Sequence, residues 1–171
     1  MSDPTSDGAV RLFFRSERKR RSDGPEFLQL LLGAGVVSIT IAMAAAFIGA
    51  AIFVLRRSAP WFGDPPPIFR TIIALTAVSL WLLIAISASV WVWAAVFMGL
   101  DLFLTIEPAL YFSAATLTTL GYGDILLPIS WRLLTGICAA NGLLLFGLCA
   151  AFLFEVFARL HGRQDASISE K

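Results

Sequence analysis

The residues best suited to chemistry are two glycines separated by one residue, Gly121 and Gly123. They belong to the segment Thr-Leu-Gly-Tyr-Gly-Asp at residues 119–124, named here the glycine segment. Glycine adopts positive φ where other residues resist it, so a backbone that alternates such conformations with ordinary ones can point consecutive carbonyls the same way. Four copies around one axis would stack rings of oxygens that replace the water shell of a dehydrated cation. The segment therefore predicts cation binding by backbone oxygens.

The residues before the glycine segment predict a short helix from Pro108 to about Leu117. Proline suits the first helical turn, and Glu107 lies beside the positive end of the helix dipole. The ten residues of this helix make about 15 Å, which is half of a hydrocarbon core about 30 Å thick. Irregular backbone at membrane depth is tolerated only where it is buried in protein or lines a water-filled path. We therefore expect a re-entrant pore helix followed by an irregular return.

Three long stretches of the chain carry no charged residue: 27–55, 71–100 and 133–154. Each exceeds the roughly 20 apolar residues that cross a bilayer. The chain is 58% hydrophobic and only 15% charged, whereas soluble domains are about 25% charged. Three buried helices of a soluble protein are the alternative, but too little polar surface remains to cover them. The predicted fold class is an all-α membrane protein with three transmembrane helices.

The composition divides the chain into five parts. The first, residues 1–26, is a polar tail whose basic run, Arg18 to Arg21, can rest on anionic lipid. A secretory signal is the alternative for this end of the chain, although no small-residue cleavage site ends the apolar stretch behind it. The other parts are a first transmembrane helix (27–56), a proline-rich connector (57–69), a module of two long helices around the short helix and glycine segment (70–160) and a C-terminal tail (161–171).

No combination of residues indicates catalysis, a phosphate loop or a metal cluster. Cys138 and Cys149 lie eleven residues apart on one predicted helix, about 16 Å along its axis, which is too far for a disulfide. We interpret both as apolar packing residues, and His161 as a surface histidine. An enzyme is the least favoured class, and we expect no cofactor, nucleic acid or small-molecule substrate.

The segment Thr-Leu-Thr-Thr-Leu-Gly-Tyr-Gly-Asp at residues 116–124 resembles the signature of potassium channels, which usually reads Thr-x-x-Thr-x-Gly-Tyr-Gly-Asp. The resemblance covers about residues 70–160, as a potassium-channel pore module. It implies a homotetramer in a lipid bilayer, with K⁺ as the permeant ion. Further residues resemble the inner helix of bacterial potassium-channel pores, namely Pro128, Trp131, Arg132, Gly142, Phe146 and Gly147.

The resemblance implies that residues 119–123 are a selectivity filter. The carbonyls of Thr119, Leu120, Gly121 and Tyr122, together with the Thr119 hydroxyl, would bind dehydrated K⁺. Gly123 would complete the outer turn.

The resemblance also implies roles for residues around the filter. Asp124 would lie at the mouth, and the end of the pore helix, Thr116 to Thr118, would direct the negative end of its dipole at a cation. Ala115 stands where some relatives carry a glutamate that pairs with the filter aspartate, so Asp124 needs another partner. We predict that the Tyr111 hydroxyl hydrogen-bonds to Asp124.

Two residues deep in the third span have alternative interpretations. By the resemblance, Gly142 is either a gating hinge or a site of close helix packing. Asn141 is the only strongly polar side chain deep in this span, and a lone amide in hydrocarbon is costly. It should face a water-filled cavity or a partner helix, and we prefer the cavity.

The arginines suggest an orientation in the cell membrane. In the resembled family the pore loop enters from outside, so the mouth would be extracellular or periplasmic and the C-terminus cytoplasmic. Five arginines would then lie inside, as the positive-inside rule favours: Arg56, Arg57, Arg70, Arg159 and Arg163. The outer segment is acidic apart from Arg132. Three spans would leave the N-terminus outside, whereas the basic run in the tail favours the inside. The first span either crosses or lies partly in the interface, and both arrangements stay open.

The predicted function is a potassium-selective channel subunit. A weakly selective cation channel is one alternative, but such sequences usually disrupt the tyrosine or the second glycine of the filter. A non-conducting membrane subunit that modulates another channel is a second, and it would not need an intact Gly121-Tyr122-Gly123.

Overall fold

The structure is a computed structural model that describes residues 25–62 and 68–169. Within these ranges all regular structure is helical, and the prediction of an all-helical fold is confirmed. The basic run of the tail and the three prolines of the connector lie outside the described residues. The elements are α1 (Pro25–Phe62), α2 (Ile68–Gly99), α3 (Ile106–Leu117), a 3₁₀ turn (Ile129–Trp131) and α4 (Arg132–Ser169).

Three helices are long and apolar enough to cross a membrane, which confirms the prediction of three such helices. The apolar stretches are Glu26–Arg57, Phe69–Gly99 and Ile129–Arg159. At most 33% of the most apolar part of each is buried within the chain. Because so much apolar surface faces outward, lipid or further chains must cover it.

The helices extend beyond the boundaries that composition suggested. Helix α1 continues past residue 56 to Phe62, and α4 continues through the predicted C-terminal tail to Ser169. Polar residues end the apolar stretch without breaking the backbone hydrogen bonds, since arginine and glutamate are good helix formers. In α4, Glu155 and Arg159 form an ion pair four residues apart, a spacing that supports a helix. Composition thus locates the membrane span but not the helix end.

Helix α1 runs parallel to α4. Near the start of α1, the Gln29 side chain donates to the Ser130 carbonyl and accepts from the Leu134 N–H. Further along both helices, Thr40 is hydrogen-bonded to Asn141. Because residue numbers rise together along this contact, the beginning of α1 lies at the same end of the molecule as the beginning of α4.

Helix α2 packs against α1. The Trp81 indole N–H of α2 donates to the Phe47 carbonyl of α1 at 2.9 Å, and the two aromatic rings lie 5.3 Å apart. A cluster of apolar side chains continues this contact and includes Ala51 of α1, Val78 and Leu82 of α2, and Cys149 of α4. Three long helices thus form one packed unit.

Helix α3 is held between α2 and α4. Its Phe112 ring lies 5.2 Å from the Phe97 ring of α2 and 5.4 Å from the Phe103 ring of the following turn. At the other end, Leu117 is fully buried, and its carbonyl lies against Gly142 of α4. Gly142 is ten residues into α4, about 15 Å from its start. Residues 118–131 therefore lead from the level of Gly142 back to the beginning of α4.

Both cysteines are buried and free. Cys138 belongs to the cluster that contains Leu134 and Leu145, and Cys149 belongs to the cluster that joins α1, α2 and α4. Both side chains pack as small apolar groups.

Candidate functional site

The backbone of the glycine segment alternates its conformation from one residue to the next. Thr119, Gly121 and Gly123 have φ values of 58°, 51° and 79°, whereas Leu120 and Tyr122 keep negative φ. Glycine adopts positive φ without strain, but a β-branched threonine does so only at a cost. The regular alternation is the conformation expected of a segment whose carbonyls point the same way.

Hydrogen bonds to the last turn of α3 fix the start of the glycine segment. The Thr119 N–H donates to the Thr116 carbonyl at 2.9 Å, and the Gly121 N–H donates to the Ala115 carbonyl at 3.1 Å. The Thr118 hydroxyl donates to a carbonyl of the preceding turn. These bonds satisfy part of the unpaired carbonyls at the helix end. The position of α3 thus determines the position of the segment.

Side chains of the glycine segment are uncovered within one chain. All residues from 118 to 124 are exposed, and the two large ones, Leu120 and Tyr122, are 57% and 71% exposed. In contrast, the supporting residue Thr116 is buried. Within one chain, α3 contacts one side of the segment, its back, and the opposite side, its front, is uncovered.

Tyr111 and Asp124 line the same cavity, and a hydrogen bond joins their side chains. The role of this pair at the mouth stays a prediction. The bond raises the pKa of Tyr111 above its ordinary value, because it stabilises the protonated phenol. Partial burial and the negative charge of the carboxylate act in the same direction. Asp124 is therefore tied to α3 although Ala115 offers no partner.

A cavity of about 90 Å³ lies between the glycine segment, α3 and α4. Its lining residues include Tyr111, Ala115, Thr116, Asp124 and Thr135, and the lining surface is largely apolar.

Asn141 corrects the sequence prediction. The side chain is fully buried, and its amide nitrogen donates to the Thr40 hydroxyl of α1 at 2.8 Å. The preferred expectation of a water-filled cavity is wrong in this structure, and the alternative, a partner helix, is the one found. The reason is that α1 lies beside α4 at this depth and supplies the hydrogen-bond partner that an amide in hydrocarbon needs.

Gly142 packs closely against α3. A Cβ at this position would lie 1.7 Å from the Leu117 carbonyl oxygen and 2.7 Å from the carbonyl carbon. Only glycine allows the two backbones to come so close. Gly142 was interpreted as either a gating hinge or a site of close helix packing, and the structure shows close helix packing.

Two polar residues of α1 were missed by sequence reasoning. Gln29 and Thr40 are 2% and 0% exposed, and both hydrogen-bond to α4. The available signal was their polarity within an otherwise apolar span, but α1 lies outside the part of the chain that the family resemblance covers.

Comparison with known proteins supports the same part of the chain. A family model described as "Ion channel" matches residues 73–159, which is half of the chain. The matched range includes α3, the glycine segment and most of α2 and α4. Comparisons with curated proteins and with solved structures gave no match. The chain is therefore a multi-pass membrane protein that belongs to the ion channel family and serves passive ion transport.

Proposed function

We propose that the chain is one of four identical subunits of a potassium-selective channel, with residues 119–123 as its selectivity filter. The observation that carries the proposal is the alternation of positive and ordinary φ through Thr119, Gly121 and Gly123. Rings of carbonyl oxygens from such segments replace the hydration shell of K⁺.

The proposed ligands are backbone oxygens. The carbonyls of Thr119, Leu120, Gly121 and Tyr122 and the Thr119 hydroxyl bind successive ions. No large side chain is required for this, which agrees with the outward exposure of Leu120 and Tyr122. Gly123 ends this row of carbonyls, and the chain then continues to Asp124 at the mouth of the pore.

The exposure of the glycine segment supports a ring of four chains. Irregular backbone in a membrane must be covered by protein or line a water-filled path, and one chain covers only the back of the segment. One copy per chain requires several chains to close a ring. Homotetramerisation would bury the exposed front of the segment and leave the carbonyls facing the axis.

The position of α3 supports a re-entrant pore helix. Leu117 meets α4 about 15 Å from the start of that helix, close to half of a hydrocarbon core. A helix that ends there directs the negative end of its dipole at the middle of the membrane, where a cation gains most from it. Thr116 and Thr118 lie at that end.

We further propose that the mouth faces the outside of the cell. Arg56, Arg57 and Arg159 end their apolar stretches at the end opposite to Asp124, and the positive-inside rule then makes that end cytoplasmic. Because α1 is parallel to α4, the N-terminus lies on the side of the mouth.

The experiment is the reversal potential of the purified protein in a planar lipid bilayer, with K⁺ on one side and Na⁺ on the other. Gly121→Ala introduces a side chain at a φ of +51°, where L-residues are strained. Gly35→Ala is the matched control, because Gly35 is helical and a Cβ added there would meet nothing within 4 Å. We expect reversal near the K⁺ equilibrium potential for wild type and Gly35→Ala, and loss of K⁺ selectivity in Gly121→Ala.

Two results would replace the proposal with an alternative. A reversal potential near zero with robust current would indicate a weakly selective cation channel. Absence of current from an intact tetramer across pH, voltage and lipid composition would favour a non-conducting modulatory subunit.

A further inference from the structure

Directed contacts join α1 to the first half of α4, and the function proposed above uses none of them. The Gln29 amide donates to the Ser130 carbonyl at 2.6 Å and accepts from the Leu134 N–H at 3.2 Å. Deeper in the membrane, the Asn141 amide donates to the Thr40 hydroxyl oxygen at 2.8 Å. The side chains of Gln29, Thr40 and Asn141 are buried, and the bond from the Leu134 N–H to Gln29 and the bond between Asn141 and Thr40 are made away from solvent and lipid.

Between the two polar contacts the helices approach closely. A Cβ at Gly33 would lie 2.7 Å from the Cδ1 atom of Ile137 and 3.4 Å from its Cβ. Small residues allow such an approach between membrane helices. Beyond Thr40 the contact is made by apolar side chains such as Ala51, Cys149 and Phe152.

The polar pair has a consequence that apolar packing lacks. A hydrogen bond between buried groups is directional, and a single buried asparagine can fix the register of two helices. Thr40 can hold Asn141 because its own hydroxyl proton can be donated to the Val37 carbonyl at 2.9 Å, which leaves the oxygen free to accept. The pair therefore sets both the height and the rotation of α4 relative to α1.

The pair is also connected to the glycine segment. Asn141 is followed directly by Gly142, and the backbone of Gly142 lies against the Leu117 carbonyl at the C-terminal end of α3. Thr119, with its positive φ, follows two residues later. A shift or rotation of α4 at Asn141 would move the surface on which α3 ends.

We infer that Thr40 of α1 is a positioning residue of the ion path, which acts through Asn141 to fix α4 where it supports α3 and the glycine segment. The inference rests on the proposed location of the ion path at the glycine segment, but it does not depend on a preference for K⁺. Helix α1 is then a support of the pore and not only a membrane anchor.

The test begins with Thr40→Val, which keeps the shape of the side chain and removes the hydroxyl, and with Thr40→Ser, which keeps the hydroxyl. Amide hydrogen exchange of residues 117–124 is measured in reconstituted protein, together with channel open probability in bilayers. We expect Thr40→Val to raise the exchange rate by about fivefold, the factor given by loss of one buried hydrogen bond, and to change the open probability. Thr40→Ser should resemble wild type in both measurements.

A disulfide between α1 and α4 supplies a rescue. The ideal Cβ position at Gly33 lies 3.4 Å from the Ile137 Cβ, close to the separation of about 3.8 Å in disulfides. The pair Gly33→Cys and Ile137→Cys is introduced with Cys138→Ala and Cys149→Ala, with and without Thr40→Val. Oxidation should restore the exchange rate and open probability of Thr40→Val, and a reductant should reverse the restoration.

Each outcome decides the inference. It is overturned if Thr40→Val leaves exchange at 117–124 and open probability unchanged, even when thermal stability falls, or if the disulfide restores neither. If Thr40→Val does not assemble by itself, the variant is assembled in oxidised form and then reduced for the same comparison. Hydrogen exchange needs no current, and a reversal potential near zero would overturn K⁺ selectivity while leaving this test intact.

Discussion

At the scale of the residue, Gly142 and Thr119 show how little side chain the site uses. Gly142 matters because it has no Cβ, and Thr119 holds a positive φ that its branched side chain disfavours. At Gly142 the missing Cβ leaves room for the Leu117 carbonyl. At Thr119 the positive φ begins the alternating backbone of the glycine segment. A substitution at either position changes the packing or the conformation of the backbone, and any effect on function follows from that change.

Gly142→Ala should destabilise the protein strongly. A Cβ placed 1.7 Å from the Leu117 oxygen forces α3 away from α4, and overpacking of this kind costs about 1–3 kcal/mol or more. Thermal unfolding in detergent measures the effect. Gly147→Ala on the same helix is the control, since its Cβ meets nothing within 4 Å and alanine favours a helix by about 1 kcal/mol. Equal stability of the two variants would contradict the close contact.

Tyr111→Phe should remove a pH dependence of stability at high pH. The pKa of Tyr111 is raised from 10.0 in the folded protein, so its stabilising contribution is complete below about pH 10. It is lost as the pH rises through the higher folded value. The difference in thermal stability between wild type and Tyr111→Phe should therefore be constant from pH 7 to about pH 9 and shrink above about pH 10. A difference that stays constant to pH 11 would show that the bond to Asp124 contributes nothing.

At the scale of the element, the sequence predicted the membrane spans but not which helices contact one another. Uncharged stretches longer than a bilayer predict transmembrane helices on physical grounds alone, and Gly121 and Gly123 predict positive φ because glycine tolerates it. The partner of Asn141 depends on which helix lies beside it, and neither periodicity nor composition contains that information. Sequence reasoning missed Gln29 for the same reason, because a glutamine near the start of a membrane span can contact lipid headgroups as readily as a neighbouring helix.

Gln29→Leu should weaken the start of α4. The change leaves the Leu134 N–H and the Ser130 carbonyl without their α1 partner, and an unsatisfied buried group costs about 1–3 kcal/mol. Gln29→Glu is the control, because it keeps an acceptor for the N–H and places negative charge near a helix N-terminus. Thermal unfolding and exchange of the Leu134 amide should rank wild type first, Gln29→Glu second and Gln29→Leu last. A leucine variant as stable as wild type would show that the glutamine bonds contribute no net stability.

At the scale of the whole molecule, two orientation signals disagree. Arg70 and Arg159 lie at the end of the molecule away from Asp124, whereas Arg132 begins α4 near Asp124. The basic run at residues 18–21 would favour the side of Arg70 and Arg159 for the N-terminus. The structure adds a third signal, because the bonds of Gln29 and Thr40 to α4 form only when α1 is parallel to α4. Buried hydrogen bonds at two depths constrain the direction of α1 more strongly than charge outside the membrane does, since antiparallel packing would leave both side chains unpaired.

We therefore predict that residues 6 and 167 lie on opposite sides of the membrane. Ser6→Cys and Ser167→Cys are made with Cys138→Ala and Cys149→Ala, and intact cells are treated with a membrane-impermeant thiol reagent. Ser6→Cys should react in intact cells, and Ser167→Cys should react only after permeabilisation. Protection of both in intact cells would mean that α1 does not cross in the direction of α4. The α1–α4 bonds would then fail together with the proposed role of Thr40, while the filter proposal, which depends on residues 119–123, would stand.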